Sequence, residues 1–178
     1  MPVRRKRIRE LAQQILEENE VHQPPIPLAR IVATYGLLIA RQSNAVSYIS
    51  GILARERGRN IIGVNTSHSD ERQRFTIAHE LGHFFLHTQG TDEVHIDRGF
   101  DVKFRDNVSA QGSDIEEKEA NLFAAELLMP YEFLKRDLAG KEKIDIVDDQ
   151  LLQELAQNYE VSQQAMLIRL TQLRVLTL

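Results

Sequence analysis

The sequence predicts an α+β fold in which a small β-sheet packs against several helices. Two apolar runs lie on either side of the polar segment Arg55–Arg59, and Gly58 supplies the tight turn of a β-hairpin. Segments before and after this hairpin carry apolar residues at helical spacing. The chain of 178 residues is 42% hydrophobic and 27% charged, which suits one globular domain with at most a small appendage.

The elements expected before the hairpin are two helices and a strand. Residues 4–20 carry apolar side chains on one helical face and predict an amphipathic helix. The proline-rich segment 22–27 links it to a short helix, Leu28–Tyr35, for which Gly36 is well placed as the C-cap. Leu37–Arg41 then follows as a strand.

A long helix is expected directly after the hairpin. Ser67 or Ser69 caps its N-terminus, and the helix runs from about Asp70 to Thr88. The next segment, residues 89–113, is polar and has no regular apolar period, so it predicts a long loop.

A second long helix, IEEKEANLFAAELLMP, begins at a cap formed by Ser113 or Asp114 and is ended by Pro130. The remainder of the chain predicts three short helices. We therefore expect two parts, a domain over residues 1–130 and a C-terminal helical segment over residues 131–178.

Composition and charge narrow the class of protein. The absence of cysteine excludes disulfides and cysteine-based metal sites. No apolar run approaches the ~20 residues of a membrane span, and the N-terminus lacks the apolar core of a secretory signal, so we expect a cytoplasmic protein. The net charge of -4 gives no general attraction to nucleic acid or to membranes. The basic cluster RRKRIR is interpreted as a solvated helix start, with a nucleic-acid or partner patch as the alternative.

The first long helix contains the pattern H-E-x-x-H, formed by His79, Glu80 and His83. Residues four apart on a helix differ by about 40° in direction and about 6 Å in height, so both imidazoles can bind one ion. Neutral imidazole suits Zn²⁺. Glu80 projects about 100° away from His79, which places it outside that ligand set but within reach of a water on the metal. The pattern therefore predicts a zinc site with Glu80 as the general base.

Gly82, inside the motif, and His87, one turn after it, have other expected roles. Gly82 is costly inside a helix by about 0.5–1 kcal/mol relative to alanine, which favours close approach of another backbone or of the site itself. His87 stands about 12 Å along the axis from His79, too far to share its ion. We expect His87 to pack or to support a ligand.

A catalytic zinc ion usually has three protein ligands, so a third residue is needed. We choose Glu117, because it continues an apolar stripe that includes Ala120 and Ala124, and an inward carboxylate is costly unless it is paired or binds metal. Asn121, one turn later, is a candidate to orient a ligand. The other glutamates of this helix are expected to be mostly solvated. The alternatives for the third ligand are Glu116 and Glu119, with Asp92, His95 and Asp97 in the long loop as weaker candidates.

These two segments, FTIAHELGHFFLH and EKEANLFAAELLMP, resemble the ImmA/IrrE family of metallopeptidases. The N-terminal helix, the hairpin and the C-terminal helices fit the family layout as well. The resemblance implies a zincin-like core, in which a small twisted sheet lies beside two helices that carry the site. It also implies that His79, His83 and Glu117 bind the metal and that Glu80 is catalytic. The expected ion is Zn²⁺, and two histidines with a carboxylate also accept Mn²⁺ or Fe²⁺.

The resemblance further implies a cytoplasmic peptidase whose substrate is a helix-turn-helix repressor, with cleavage switching on stress-response or mobile-element genes. Tyr48, His95 and Tyr131 are candidate donors to the oxyanion of the reaction. The hairpin is a candidate surface for pairing with an extended substrate strand.

Two other functions fit the same sequence. The segment LLQELAQNYEVSQQAMLIRLTQL has the rhythm of a helix-turn-helix, with Ser162 capping the second helix. Acidic side chains outnumber basic ones in residues 131–178, and the second helix offers mainly Arg169 and Arg174, so direct DNA binding is not favoured. The remaining alternative is a metal-dependent regulator that binds its partner without cutting it.

Overall fold

The computed structural model describes residues 2–43, 49–56, 58–87, 94–97, 110–139, 144–145, 149–173 and 176–177. This part of the chain has an α+β fold, as predicted. Its helices are α1 (Arg5–Glu18), α2 (Leu28–Thr34), α3 (Asp70–Leu86), α4 (Ala110–Leu128), α5 (Tyr131–Asp137), α6 (Asp149–Tyr159) and α7 (Gln163–Gln172). Its strands are β1 (Leu37–Gln42), β2 (Gly51–Glu56), β3 (Arg59–Asn65), β4 (Val94–Asp97), β5 (Ile144–Asp145) and β6 (Leu176–Thr177).

The main sheet has four strands in the order β1-β3-β2-β4. The predicted hairpin is confirmed, because β2 and β3 pair antiparallel and Gly58 has a φ of +76° between them. Strand β3 also pairs parallel with β1, and β2 pairs antiparallel with β4. Both hairpin strands are therefore internal, so the prediction that the hairpin itself accepts a substrate strand is wrong. Among the described strands of this sheet, β1 and β4 are the outer ones.

Helix α3 begins at the second of the two serines expected to cap it. The side chain of Ser69 accepts a hydrogen bond from the backbone N–H of Arg72 at 3.4 Å. Asp70 and Glu71 in the first turn lie at the positive end of the helix dipole, which stabilises the helix start.

Helices α3 and α4 pack against each other at a glycine. A Cβ atom added to Gly82 would lie 2.9 Å from the Cα of Ala120 and 3.2 Å from a ring carbon of Phe123. Real Cβ atoms essentially never approach another heavy atom to within 3.0 Å, so a side chain at position 82 would force one of the two backbones to shift. The predicted close approach of another backbone at Gly82 is therefore confirmed.

The segment between these two helices differs from its prediction. Residues 89–113 were expected to be an irregular loop, but they include β4 and the first turn of α4. Helix α4 already begins at Ala110, so Ser113 and Asp114 lie inside it and are not its caps. A strand of four residues depends on its pairing with β2, which a local pattern does not reveal.

Two glutamates of α4 are buried and not solvated, contrary to expectation. Glu119 is 2% exposed and pairs with Arg4, while Glu126 is 3% exposed and pairs with Arg169 and Arg9. Part of the basic N-terminal cluster is thus used to neutralise carboxylates on α4.

The three short C-terminal helices are confirmed as α5, α6 and α7. The side chain of Ser162 caps α7 as predicted, accepting from the backbone N–H of Ala165 at 3.1 Å. Arg169 in α7 is 2% exposed and donates to the carbonyl oxygen of Met129 and to Glu126. Because its guanidinium is buried, Arg169 does not offer a phosphate contact. Arg174 lies outside the described residues.

One cluster of buried apolar side chains joins helices from both ends of the chain with the sheet. It includes Ile15 of α1, Ile62 of β3, Leu81 of α3, Leu127 of α4 and Leu170 of α7. The division at residue 130 stays a prediction. None of the helices in the described ranges is long and apolar enough to cross a membrane.

Candidate metal centre

Helix α3 brings the two histidines of the motif together. Their Nε2 atoms lie 3.0 Å apart, and each residue is only 2% exposed. The spacing of four residues places both rings on one face, as the helical geometry requires.

Helix α4 adds the carboxylate of Glu117 to this pair. Its Oε2 atom lies 3.4 Å from Nε2 of His79, and its Oε1 atom lies 3.2 Å from Nε2 of His83. The Glu117 side chain is 39% exposed, so the group opens to solvent on the α4 side. We refer to His79, His83 and Glu117 as the His–Glu cluster.

The donor atoms of the His–Glu cluster fit a single ion. One ligand atom from each residue can be chosen so that all three lie within 4.8 Å of one another. In a tetrahedral zinc site with bonds of about 2.0–2.1 Å, neighbouring ligand atoms are roughly 3.3–3.4 Å apart. The two Nε2 atoms lie 3.0 Å apart, and each of them lies 3.2 or 3.4 Å from a different oxygen of Glu117, so the contacts are close to this spacing. Two neutral imidazoles and one carboxylate are ligands that Zn²⁺ accepts, and Mn²⁺ and Fe²⁺ accept them as well.

Asn121 lies one turn after Glu117 and contacts the far side of His79. Its Oδ1 atom is 2.9 Å from Nδ1 of that imidazole. An amide oxygen accepts a hydrogen bond, so this contact favours a proton on Nδ1 and a free lone pair on Nε2. Asn121 therefore stands where a residue that orients a metal ligand is expected.

Glu80 lies beside the His–Glu cluster and not within it. The residue is fully buried, with 0% exposure, on the side of α3 that faces β2. A Cβ atom added to Gly51 of β2 would be 2.9 Å from Oε1 of Glu80. The direction expected from a helix, about 100° away from His79, agrees with this placement.

A family model described as the IrrE N-terminal-like domain, a peptidase family, matches residues 33–171. The chain belongs to the ImmA/IrrE family. Within this family, Metallopeptidase ImmA of Bacillus subtilis (strain 168) is 30% identical to the chain over 96 residues, which is 53% of this chain and 50% of the relative. The chain thus spans half the length of the relative it matches.

Of the other candidates for a third ligand in this ImmA/IrrE chain, the structure describes Glu119 and Glu116, and neither belongs to the His–Glu cluster. Glu119 accepts hydrogen bonds from the backbone N–H and the guanidinium of Arg4, which hold the pKa of this carboxyl below its usual range. Glu116 is exposed on the surface of α4. The side chains of Asp92, His95 and Asp97 lie outside the described residues.

His87 packs at the end of the motif, as expected. Its ring centroid is 5.4 Å from that of His83, and its Nε2 atom is 3.8 Å from Oε2 of Glu119. Burial lowers the pKa of its imidazole, partly offset by the carboxylates of Glu116 and Glu119. This contact with a candidate ligand fits a supporting role.

One of the three candidate oxyanion donors, Tyr131, lies within the described residues. Tyr131 is the first residue of α5, and its ring lies 6.0 Å from the cationic groups of Arg9 and Lys135. Tyr48 and the side chain of His95 lie outside the described residues.

Sequence reasoning missed one residue at the site, Gly51. A glycine inside a strand often marks a close approach of another group. That pattern was present in the sequence, but only the packing of β2 on α3 reveals that the group is Glu80.

Proposed function

We propose that this chain is a metal-dependent endopeptidase in which His79, His83 and Glu117 hold Zn²⁺ and Glu80 is the general base. The observation that carries the proposal is the convergence of two imidazoles and one carboxylate from two helices, with one ligand atom from each residue within 4.8 Å of the others. Membership of a metallopeptidase family supports the same assignment.

The chemistry follows from the positions of these side chains. A divalent ion held by the His–Glu cluster supplies Lewis acidity, which polarises the scissile carbonyl group and lowers the pKa of a water molecule towards about 7. Glu80 takes the proton of the attacking water and then passes it to the departing amine. Asn121 keeps the ring of His79 in the required tautomer.

We propose that the substrate binds as an extended strand along β4. This strand is the outer neighbour of β2, and its Asp97 pairs with Gly51, the residue that lies against Glu80. Adjacent strands are about 4.8 Å apart. A substrate strand added to the outer edge of β4 would therefore lie two strand spacings from Gly51, with β4 between them. The backbone groups of β4 would bind any sequence, and the surrounding side chains would select it.

The substrate we propose is a helix-turn-helix repressor, whose cleavage switches on stress-response or mobile-element genes. The resemblance of the two motif segments to the ImmA/IrrE family supports this choice. Any small repressor-like protein that is encoded beside this chain is the first substrate to test.

The decisive experiment is the variant Glu80→Gln. It keeps the side-chain volume at position 80 and leaves the three proposed metal ligands in place, but it removes the base. We therefore expect the cleavage rate to fall by about 100-fold or more. Metal content and melting temperature should match those of the unmodified chain. Cleavage of the repressor-like protein under test is measured by gel electrophoresis, with and without a chelator.

The matched control is Glu132→Gln, which makes the same change at an exposed position on α5. It should cleave at the normal rate. Unchanged cleavage by Glu80→Gln would contradict the assigned base. A stable complex with the repressor-like protein and no fragments, even with metal present, would support sequestration and contradict peptidase activity.

A further inference from the structure

Strand β2 meets helix α3 at a residue that has no side chain. An added Cβ atom at Gly51 would collide with Cγ2 of Thr76, and it would lie 2.9 Å from Oε1 and 3.4 Å from Cγ of Glu80. Thr76 and Glu80 are one turn apart on α3, 3% and 0% exposed respectively. The backbone of β2 therefore lies directly against the face of α3 that carries the proposed base.

Backbone conformation does not explain this glycine. The glycines with positive φ among the described residues are Gly36 and Gly58, so Gly51 has a conformation that any residue adopts. Glycine weakens a strand interior, because it costs entropy and offers no side chain to pack. What Gly51 provides is space.

Gly63 in the neighbouring strand β3 gives a direct comparison. A Cβ atom added there would be 3.6 Å from Cβ of Ile52, which is ordinary van der Waals contact. The two glycines lie in adjacent strands of one sheet. Of these two glycines, only Gly51, which faces Glu80, lacks room for a methyl group.

We infer that Gly51 is a positioning residue for Glu80, because its missing side chain sets where the carboxylate lies. The inference rests on the proposed function in that it takes Glu80 as the base. Thr76 and Glu80 are both buried, so a methyl group at position 51 must either displace both side chains or move the strand away from the helix. A displacement of about 1 Å in a catalytic group can reduce a rate by about 100-fold.

The first test compares Gly51→Ala with Gly63→Ala. The substrate is a repressor-like protein that the unmodified chain cleaves. We expect Gly51→Ala to lower kcat for it by about 100-fold, with KM changed by less than about threefold, because the loss lies in proton transfer. Zn²⁺ affinity should stay within about threefold, because the atoms nearest to the added methyl group belong to Thr76 and Glu80 and not to the ligands. Gly63→Ala should leave kcat within about twofold. A normal kcat in Gly51→Ala, with Glu80→Gln inactive, would overturn the inference.

The second test needs no activity and isolates the contact with Glu80. Thr76→Ser removes the colliding Cγ2 atom, and all variants of this test carry that substitution. The effect of Gly51→Ala on melting temperature is then measured twice, once with Glu80 present and once with Glu80→Ala. We expect the loss in melting temperature caused by Gly51→Ala to shrink by at least half when the Glu80 side chain is truncated. Gly63→Ala should lower the melting temperature by the same amount with and without the Glu80 side chain.

The two tests separate failure of the inference from failure of the proposed function. An equal loss in melting temperature with and without the Glu80 side chain would overturn the positioning role. A second outcome is that the unmodified chain cleaves nothing, but the loss in melting temperature caused by Gly51→Ala still depends on the Glu80 side chain. In that case the peptidase assignment fails and the contact between Gly51 and Glu80 stands. Where Gly51→Ala alone does not fold, the Thr76→Ser background keeps both measurements available.

Discussion

The two ring nitrogens of His79 meet different partners. Its Nε2 atom faces the carboxylate of Glu117, and its Nδ1 atom lies 2.9 Å from the amide oxygen of Asn121. The second contact favours a proton on Nδ1, which leaves the lone pair of Nε2 directed to the position between the rings and the carboxylate. An amide on α4 thus favours one tautomer of a histidine on α3.

We predict that Asn121→Ala weakens Zn²⁺ binding by about 10- to 100-fold, because the His79 ring loses the partner that fixes its orientation. The fold should persist, since the change removes one side-chain contact. Affinity is measured by competition with a chromophoric chelator. Asn158→Ala, at an exposed position on α6, is the control and should bind normally. An affinity of Asn121→Ala equal to that of this control would show that the contact does not support the ligand.

At the scale of elements, the distance between α3 and α4 decides whether the site exists. The histidines come from α3 and the carboxylate from α4, so the ligand spacing is a spacing between helices. Gly82 and Ala120 allow the backbones to approach, since even a Cβ atom at Gly82 would contact the Cα of Ala120 at 2.9 Å. Two small residues thus bring Glu117 to the imidazoles.

The other face of α4 is tied to the C-terminal segment by an ion pair. Arg169 of α7 donates to both carboxylate oxygens of Glu126, at 3.0 and 2.6 Å, and to the carbonyl oxygen of Met129 at 3.0 Å. Both side chains are almost fully buried. A buried charge that loses its partner is strongly destabilising, because no water replaces the lost contact.

We predict that Arg169→Met destabilises the fold by about 3–5 kcal/mol, because it leaves Glu126 buried with only the half-exposed Arg9 beside it. Urea unfolding monitored by circular dichroism measures the change. The double variant Arg169→Met/Glu126→Leu should recover most of the lost free energy of unfolding, because it removes both charges of the buried pair together.

Lys6→Gln is the control for this pair, because Lys6 is 91% exposed in its contact with Glu10 and such surface pairs contribute at most about 1 kcal/mol. A loss for Arg169→Met no larger than that of Lys6→Gln would mean that the buried pair does not hold α7 against α4.

The sequence predicted the parts of this structure that depend on short-range patterns. The helical spacing of His79 and His83, the turn at Gly58 and the cap at Ser162 each involve residues within a few positions of one another. The choice of Glu117 used the apolar stripe of a single helix. In each case the physical cause lies within one element, so one sequence is enough to read it.

The features that the sequence did not predict depend on partners far along the chain. Glu119 is neutralised by Arg4, 115 positions away, and Glu126 by Arg169, 43 positions away. A local pattern treats such glutamates as solvated, because it contains no information about the opposite charge. The contact between Gly51 and Glu80 was missed for the same reason, since it depends on how β2 packs on α3.

For the whole molecule, the His–Glu cluster lies where two long helices of a shared core meet. Buried side chains on α3 and α4 belong to the same apolar cluster as those of α1, the sheet and α7. An ion bound by both helices therefore stabilises the folded chain against unfolding, because the unfolded chain does not bring its ligands together.

We predict that Zn²⁺ at 100 times its Kd raises the free energy of unfolding of the chelator-treated protein by about 2.7 kcal/mol. For a chain of this size, the melting temperature should rise by roughly 5–10 °C, which differential scanning calorimetry can measure. Glu117→Gln should lose most of this shift, because an amide is a poor ligand and the carboxylate is the contribution of α4. Glu116→Gln, at the exposed neighbouring position on the same helix, should keep it. An equal shift in both variants would mean that the ion does not bind between α3 and α4, and the proposed site would have to be abandoned.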